Sequence, residues 1–277
     1  GMQGEKRWEV EPMPTGEFFA GTGRFFSGES FGSSAGRITE RGPAITQGKA
    51  LLRDAITYAK SRGLQVGLGF EAKGDALEQE VQQHFTARLR SVLDEYPHID
   101  YLWLWQPEGK GLHPGDDPEE RSAWASYTNR WGSVFEEVAE PRRRAEAVRM
   151  TLFAMHARQL LEALRPDITL VVSGWGGDAW LRCTDLYPGM DALLPKDVVL
   201  SALDNLRITP NISSAYDNLG SDRQYWPIIW HEFDGDLWMP QPNLYETAGA
   251  CRDALNKNSD GLIGIHWRTR SVEESMA

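Results

Sequence analysis

The chain has 277 residues, 41% of them hydrophobic and 25% charged, which is enough apolar material for one large core, and we expect a single domain over residues 1–277. A formal net charge of −11 makes its surface repel phosphate backbones and anionic lipid headgroups, so we expect neither nucleic acid nor membranes as partners. No apolar run approaches the ~20 residues that a transmembrane helix needs.

The two cysteines, Cys183 and Cys251, lie far apart in sequence and belong to no metal-binding motif. We expect free, partly buried thiols, with one disulfide as the alternative. Gly1 before Met2 resembles a residue left by tag cleavage, and the chain starts without a charged and apolar leader. A signal peptide further upstream, a cytoplasmic or secreted location and the oligomeric state all stay open.

Helices and strands are predicted to alternate from about residue 48 onward. A helix with an apolar stripe ends at Gly63, and residues 65–70 form a strand that stops at Glu71. The next helix is closed by Pro97 and leads to a strand over residues 99–105. The αβ unit therefore repeats.

The same alternation continues downstream. An apolar stripe over residues 124–138 predicts a third helix, and a fourth follows a charged turn at residues 141–144. A further helix is marked by the apolar residues between Leu244 and Leu255. Four more strands are predicted, at residues 168–173, 197–203, 226–230 and 261–267.

Nearly continuous apolar strands separated by helices are typical of a parallel sheet covered on both faces. Six strands are clear, and residues 8–13 form a weak seventh. We therefore expect an α/β fold, a (β/α)8 TIM barrel, and whether it is complete or incomplete at its N-terminal side stays open. An open doubly wound sheet is the alternative, although no strand leads into a Gly-x-Gly-x-x-Gly turn. Residues 17–37, rich in Gly, Ser and Phe, form either a functional loop or a surface excursion.

Acids, amides and aromatic residues stand where the predicted strands end. The C-terminal ends of parallel strands meet at one edge of a sheet, so residues distant in sequence become neighbours there. The residues concerned are Glu71, Gln106, Glu108, Trp175, Asp204, Asn205, Trp230, His231, Glu232, Asp234, Asp236, His266, Trp267 and Arg268. Paired carboxylates for acid and base chemistry, beside aromatic rings that stack on sugars, are what glycoside cleavage requires. The sequence favours a carbohydrate substrate.

Two glutamates are the candidate catalytic pair. Glu108 is the expected general acid, because its tryptophan neighbours lower the local polarity and so favour the protonated form. The alternative for Glu108 is a solvated loop residue. Glu232 directly follows a strand and is the expected second carboxylate, with an ion pair to Arg268 or Arg270 as its alternative.

The expected substrate-binding residues surround this pair. They are Glu71, Gln106, Trp175, Asp204, Asn205, Trp230, His231, Asp234, Trp267 and Arg268. For Glu71 the alternative is to hold an arginine in place, and for Asp234 and Asp236 it is a turn, since Asp-Gly-Asp is a turn signal. Trp103 and Trp105 share one face of their strand, and packing in the core, packing against helices and sugar stacking all stay open for them.

A metal-dependent hydrolase is a further alternative. His231, Glu232, Asp234, Asp236 and His266 could supply ligands near one rim. Their spacing is neither His-Glu-x-x-His nor that of a calcium loop, and the chain has no Gly-x-Ser-x-Gly elbow. We expect no metal and no cofactor.

In the order of its elements the chain resembles the TIM-barrel glycoside hydrolases. In that superfamily a glutamate after the fourth strand commonly acts as acid/base, and one after the seventh as nucleophile or base. Counting residues 8–13 as the second strand puts Glu108 and Glu232 in these two positions. The largest clan has Asn directly before the acid, where this chain has Gln106-Pro107, so the chain is more similar to uncharacterised bacterial barrels with a loose likeness to α-glucuronidases and β-hexosaminidases.

This resemblance implies an enzyme that hydrolyses O-glycosidic bonds of an oligo- or polysaccharide with a pair of carboxylates. A non-catalytic carbohydrate-binding barrel is the alternative. The sugar, the anomer, the stereochemical course and the choice between endo and exo action stay open.

Overall fold

The structure of the chain is a computed structural model that describes residues 41–105, 118–136, 138, 141–174, 183–203, 210–230 and 244–265. The chain divides into two compact units, Gly1–Val66 and Gly67–Ala277. The described part of the first unit is dominated by helix α1, Arg41–Ser61. This helix ends where Gly63 adopts a φ of 77°, a left-handed conformation that favours glycine, which confirms the predicted stop.

The second unit is built on a parallel sheet. Its strands are β1 (Gly67–Glu71), β2 (Tyr101–Trp105), β3 (Thr169–Ser173), β4 (Val199–Leu203), β5 (Tyr225–Trp230) and β6 (Ile263–Ile265). They hydrogen-bond in chain order, and every pair is parallel. The six predicted strands are thus confirmed, and the described sheet is a half-barrel. A closed eight-stranded barrel is not shown, and the weak strand at residues 8–13 lies outside the described residues.

Helices connect most of the strands. They are α2 (Gln79–Glu95), α3 (Pro118–Trp131), α4 (Pro141–Leu164), α5 (Cys183–Leu193) and α6 (Leu244–Asn256), with short 3-10 helices at Gly132–Phe135 and Ser214–Asn218. No described helix is both long and apolar enough to cross a bilayer.

Three details differ from the sequence prediction, of which the first is helix α5, Cys183–Leu193, which was not predicted. The charged segment at residues 141–144 is the first turn of α4 and not a turn between helices, because proline is well accommodated at the first position of a helix. The thiol of Cys251 is free, as expected, but it is exposed on α6 and not partly buried.

Contact between two aromatic rings shows that the sheet is curved. Tyr101 on β2 and Trp226 on β5 meet edge to face with ring centroids 5.1 Å apart. Two strands separate β2 from β5, so about 14 Å would lie between them in a flat sheet at ~4.8 Å per strand. The face that carries both rings is therefore concave, and we call it the concave face.

Helices cover the opposite, convex face. Phe70 directly precedes Glu71 on β1, so its side chain is on the convex face. Phe70 packs on Phe85 of α2, and Phe85 packs on Phe153 of α4. The other convex residues of the strands are almost fully buried, among them Leu102, Leu104, Leu170, Leu200 and Ala202. The core of the second unit therefore lies between sheet and helices, which leaves the concave face for function.

Candidate active site

Three strands end side by side on the concave face. The Cα of Glu71 pairs with that of Trp105, and the Cα of Trp105 pairs with that of Ser173. These residues close β1, β2 and β3 and share the parity of Tyr101. The C-terminal edge of the sheet thus carries a carboxylate, an indole ring and a hydroxyl in a row.

Most predicted site residues lie outside the described residues. These are Gln106, Glu108, Trp175, Asp204, Asn205, His231, Glu232, Asp234, Trp267 and Arg268. Trp230 is described in its backbone, ends β5 and pairs through its Cα with Ile265. The roles given to all these residues stay predictions. Within the described ranges no three His, Cys, Asp or Glu residues could hold a metal ion together.

Glu71 is the predicted site residue whose side chain the structure describes. Its Oε2 lies 3.0 Å from Nζ of Lys73, and its side chain is 35% exposed. Arg88 of α2 donates to the backbone carbonyl of Glu71 at 3.3 Å. Burial lowers the pKa of Arg88, and the negative charge of Glu71 partly opposes that shift. The carboxylate is therefore ion-paired, to a lysine, and still accessible at the edge of the sheet.

Trp103 and Trp105 lie on the concave face, opposite the face against which α2 and α4 pack. Their ring centroids are 6.0 Å apart at a tilt of 58°, and both residues keep part of their surface exposed. On the neighbouring strand Gly67 and Gly69 occupy the paired positions. A Cβ on Gly69 would stand 3.0 Å from the carbonyl oxygen of Trp103, so the absence of a side chain lets the two strands pair closely.

A buried arginine fixes the loop that follows Glu71. The guanidinium of Arg149 on α4 donates to the carbonyls of Ala72 and Gly74 at 2.9 and 3.1 Å. It also binds both carboxylate oxygens of Glu146, at 2.5 and 2.8 Å. The side chain of Arg149 is fully buried and that of Glu146 is 4% exposed. Ala72 in turn donates its N–H to the carbonyl of Trp105, so this cluster also supports the edge of the site.

A tyrosine on α3 holds the same loop from a second side. The Tyr127 hydroxyl donates to Oδ1 of Asp75 and accepts the backbone N–H of Ala76 at 2.7 Å. Burial raises the pKa of Tyr127, and the hydrogen bond to the Asp75 carboxylate raises it further. The hydroxyl therefore stays protonated and acts as a fixed donor. The loop after β1 is a rigid part of the site.

Sequence reasoning missed two serines on the concave face. Ser173 ends β3 at 2% exposure, and Ser201 lies on β4 at 0% exposure. The sequence does contain a signal for them, because each serine is a small polar residue in a largely apolar strand. The strands are Thr169–Ser173 and Val199–Leu203. Such a residue is expected to have a hydrogen-bond partner, either in the protein or in a ligand.

Comparison with known proteins gives a likeness of fold. No family model matches the chain, and no curated protein matches it. Among solved structures, a point mutant of the Thermobaculum terrenum O-GlcNAc hydrolase superposes with a TM-score of 0.54 at 14% identity, covering 79% of this chain and 43% of that one. An exo-β-agarase superposes with a TM-score of 0.49 at 10% identity, covering 86% and 43%. The chain therefore spans less than half the length of either structure and shares the fold of the O-GlcNAc hydrolase.

Proposed function

We propose that this protein is a glycoside hydrolase that cleaves O-glycosidic bonds of an oligo- or polysaccharide, with Glu108 and Glu232 as its two carboxylates. The observation that carries the proposal is the concave face of the half-barrel. It presents the partly exposed residues Trp103 and Trp105 on β2, and its C-terminal edge holds the ends of β2 and β5, which Glu108 and Glu232 follow in sequence.

Chain connectivity supports the choice of these two glutamates. Glu108 comes three residues after the end of β2, and Glu232 two residues after the end of β5. At no more than about 3.6 Å per residue, neither Cα can lie farther than roughly 11 Å from its strand end. Both strands end at the same edge of the sheet, so opposite sides of a bound sugar are within reach of the two carboxylates.

The fold likeness is consistent with this chemistry. A protein named as an O-GlcNAc hydrolase uses the same arrangement of strands and helices over most of the chain's length. Fold alone does not define a reaction, so the case depends on the carboxylates and aromatic rings of the site.

The remaining predicted residues would bind the sugar. We assign stacking to Trp175, Trp230 and Trp267, and hydrogen bonding to Glu71, Gln106, Asp204, Asn205, His231, Asp234 and Arg268. Aromatic faces pack on the apolar faces of pyranose rings, while carboxylates, amides and charged groups bind the hydroxyls.

Substitution of the two glutamates tests the reaction. Glu108→Gln and Glu232→Gln should each lower the turnover of aryl glycosides about 10²- to 10⁴-fold or more, because an amide neither donates a carboxylic proton nor acts as base or nucleophile. Binding should persist, since the amide keeps the volume of the side chain. The measurement is a screen of p-nitrophenyl glycosides, followed by kcat and Kd for each variant.

Glu162→Gln is a matched control, because Glu162 is 72% exposed on α4 and pairs weakly with Arg158 at 3.8 Å. This variant should keep wild-type turnover. If either site variant retains most of the rate, its glutamate does not have the assigned role. Sugar binding without hydrolysis by the wild type would instead indicate a non-catalytic carbohydrate-binding barrel.

A further inference from the structure

Two serines occupy matching places on adjacent strands. Val171 pairs with Val199 and Val172 with Leu200, and the same register puts Ser173 beside Ser201. Both side chains are on the concave face, and both residues are at least 98% buried, with exposures of 2% and 0%. They therefore form a natural comparison.

Their hydrogen bonding differs. The hydroxyl of Ser201 donates to the carbonyl of Trp226 on β5 at 2.6 Å. The Oγ of Ser173 has no hydrogen-bond partner among the residues that the structure describes. A buried hydroxyl without a partner lowers stability relative to alanine, so such groups are uncommon unless something else binds them.

The surroundings of Ser173 indicate what binds it. Its Cα pairs with that of Trp105, whose ring lies beside that of Trp103. The buried Nε1 of Trp103 likewise lacks an acceptor within the described ranges. A hydroxyl that donates and accepts, an indole N–H that donates, and the partly exposed residues Trp103 and Trp105 thus belong to the neighbouring strands β2 and β3, within two residues of their C-terminal ends. Vicinal hydroxyls on a ring with an apolar face complement this set.

We propose that Ser173 is a specificity-determining residue that hydrogen-bonds one hydroxyl of the bound sugar unit through Oγ, while Nε1 of Trp103 donates to a second sugar oxygen. This inference rests on the proposed carbohydrate substrate. In sequence, Ser173 lies between Glu108 and Glu232. It belongs to a strand of the half-barrel, whereas the two glutamates come after the ends of their strands. Ser201 has no such role, because its hydroxyl is already used by the fold.

The test compares Ser173→Ala with the matched control Ser201→Ala. The probes are cellobiose, N,N′-diacetylchitobiose, maltose and xylobiose, followed by monodeoxy analogues of the disaccharide that binds best. Calorimetry gives Kd, and thermal unfolding without ligand gives Tm.

Ser173→Ala should leave Tm unchanged or raise it, since no protein hydrogen bond is lost, and should raise Kd about 3- to 10-fold, the equivalent of one hydrogen bond. For one deoxy analogue, wild type and variant should bind equally well. Ser201→Ala should lower Tm and change Kd less than about 2-fold.

Three results would overturn the inference. If Ser173→Ala lowers Tm as much as Ser201→Ala and leaves Kd unchanged, the hydroxyl serves the fold and not the ligand. If the wild type binds none of the four disaccharides, the proposed function fails, and the ligand assigned to Ser173 fails with it. Binding by the wild type that Ser173→Ala does not weaken overturns this inference alone.

Discussion

Two buried arginines stabilise opposite ends of the sheet. Arg149 binds the loop after β1 at the C-terminal edge, whereas Arg223 binds the loop before β4 at the N-terminal edge. Both guanidinium groups donate to several backbone carbonyls, and both have a carboxylate partner. They differ in how much water reaches that partner.

At the C-terminal edge the ion pair is dry. Glu146 is 4% exposed and binds Arg149 through both oxygens. At the N-terminal edge Asp191, 14% exposed, binds Arg223 at 2.7 Å and is also bound by Lys196, which is 42% exposed. Loss of Arg149 would take a bidentate guanidinium partner from a buried carboxylate, while Asp191 would keep Lys196. The loop after β1, which borders the site, is thus supported by a buried ion pair. The loop before β4, which does not border the site, is supported by a cluster that solvent reaches.

Removal of Arg149 should have the largest effect on stability. Arg149→Met removes both hydrogen bonds that the guanidinium donates to the buried Glu146 carboxylate, and it takes a donor from the carbonyls of Ala72 and Gly74. We expect a loss of about 3 to 5 kcal/mol in the free energy of unfolding, measured by urea denaturation. The double variant Glu146→Gln/Arg149→Met should recover part of that loss. If the free energy of unfolding of Arg149→Met lies within about 1 kcal/mol of the wild-type value, the ion pair contributes little to stability.

Removal of Arg223 should have a smaller effect. Arg223→Met takes a donor from the carbonyls of Leu194, Pro195 and Val198, but Asp191 keeps Lys196 and the N–H of Gly220. We expect a loss of about 2 to 3 kcal/mol by the same measurement. Sugar binding per folded molecule should be unchanged in Arg223→Met and weakened in Arg149→Met, since only the second borders the site. An equal loss of binding in both would contradict this comparison.

The smallest expected effect is a dependence on pH at the N-terminal edge. Burial alone would raise the pKa of Asp191, but hydrogen bonds from Lys196, Arg223 and the N–H of Gly220 outweigh it and hold the pKa below the usual 3.8. A lowered pKa in the folded state means that the stabilisation is complete above pH 3.8 and is lost as the pH falls through the folded value. The unfolding free energies of wild type and Asp191→Asn should therefore converge between about pH 6 and about pH 2.5. If the difference in unfolding free energy between wild type and Asp191→Asn stays constant across that range, the substitution acts through packing and not through the charge of Asp191.

The sequence predicted the sheet well and the supporting contacts poorly. Each strand is a short apolar run between turn signals, so all six were found. Helix α5 was missed, since Pro188 lies within it and proline normally argues against a helix. The sequence predicted the site from residues at or just after the strand ends. Among these residues, the structure describes the side chain of Glu71.

Burial of individual polar residues could not be predicted in the same way. Arg149 is one of several arginines in α4, and nothing in its local pattern distinguishes it from Arg144 and Arg158, which keep part of their surface exposed. Its role arises from contacts with Ala72 and Gly74, more than 70 residues away. Ser173 and Ser201 look equivalent in their strands, and only the register with β5 reveals that one is bound and the other is not.

The contact between Tyr101 and Trp226 has a consequence for the route of a ligand. These rings lie near the N-terminal ends of β2 and β5, and they bridge the interior of the half-barrel there. From Trp105 at the rim to Tyr101 is four residues along β2, or about 13 Å at the usual rise of a strand. Between β2 and β5 the rings therefore close the concave face near its N-terminal end. A polymer could not thread between these two strands at the level of Tyr101 and Trp226.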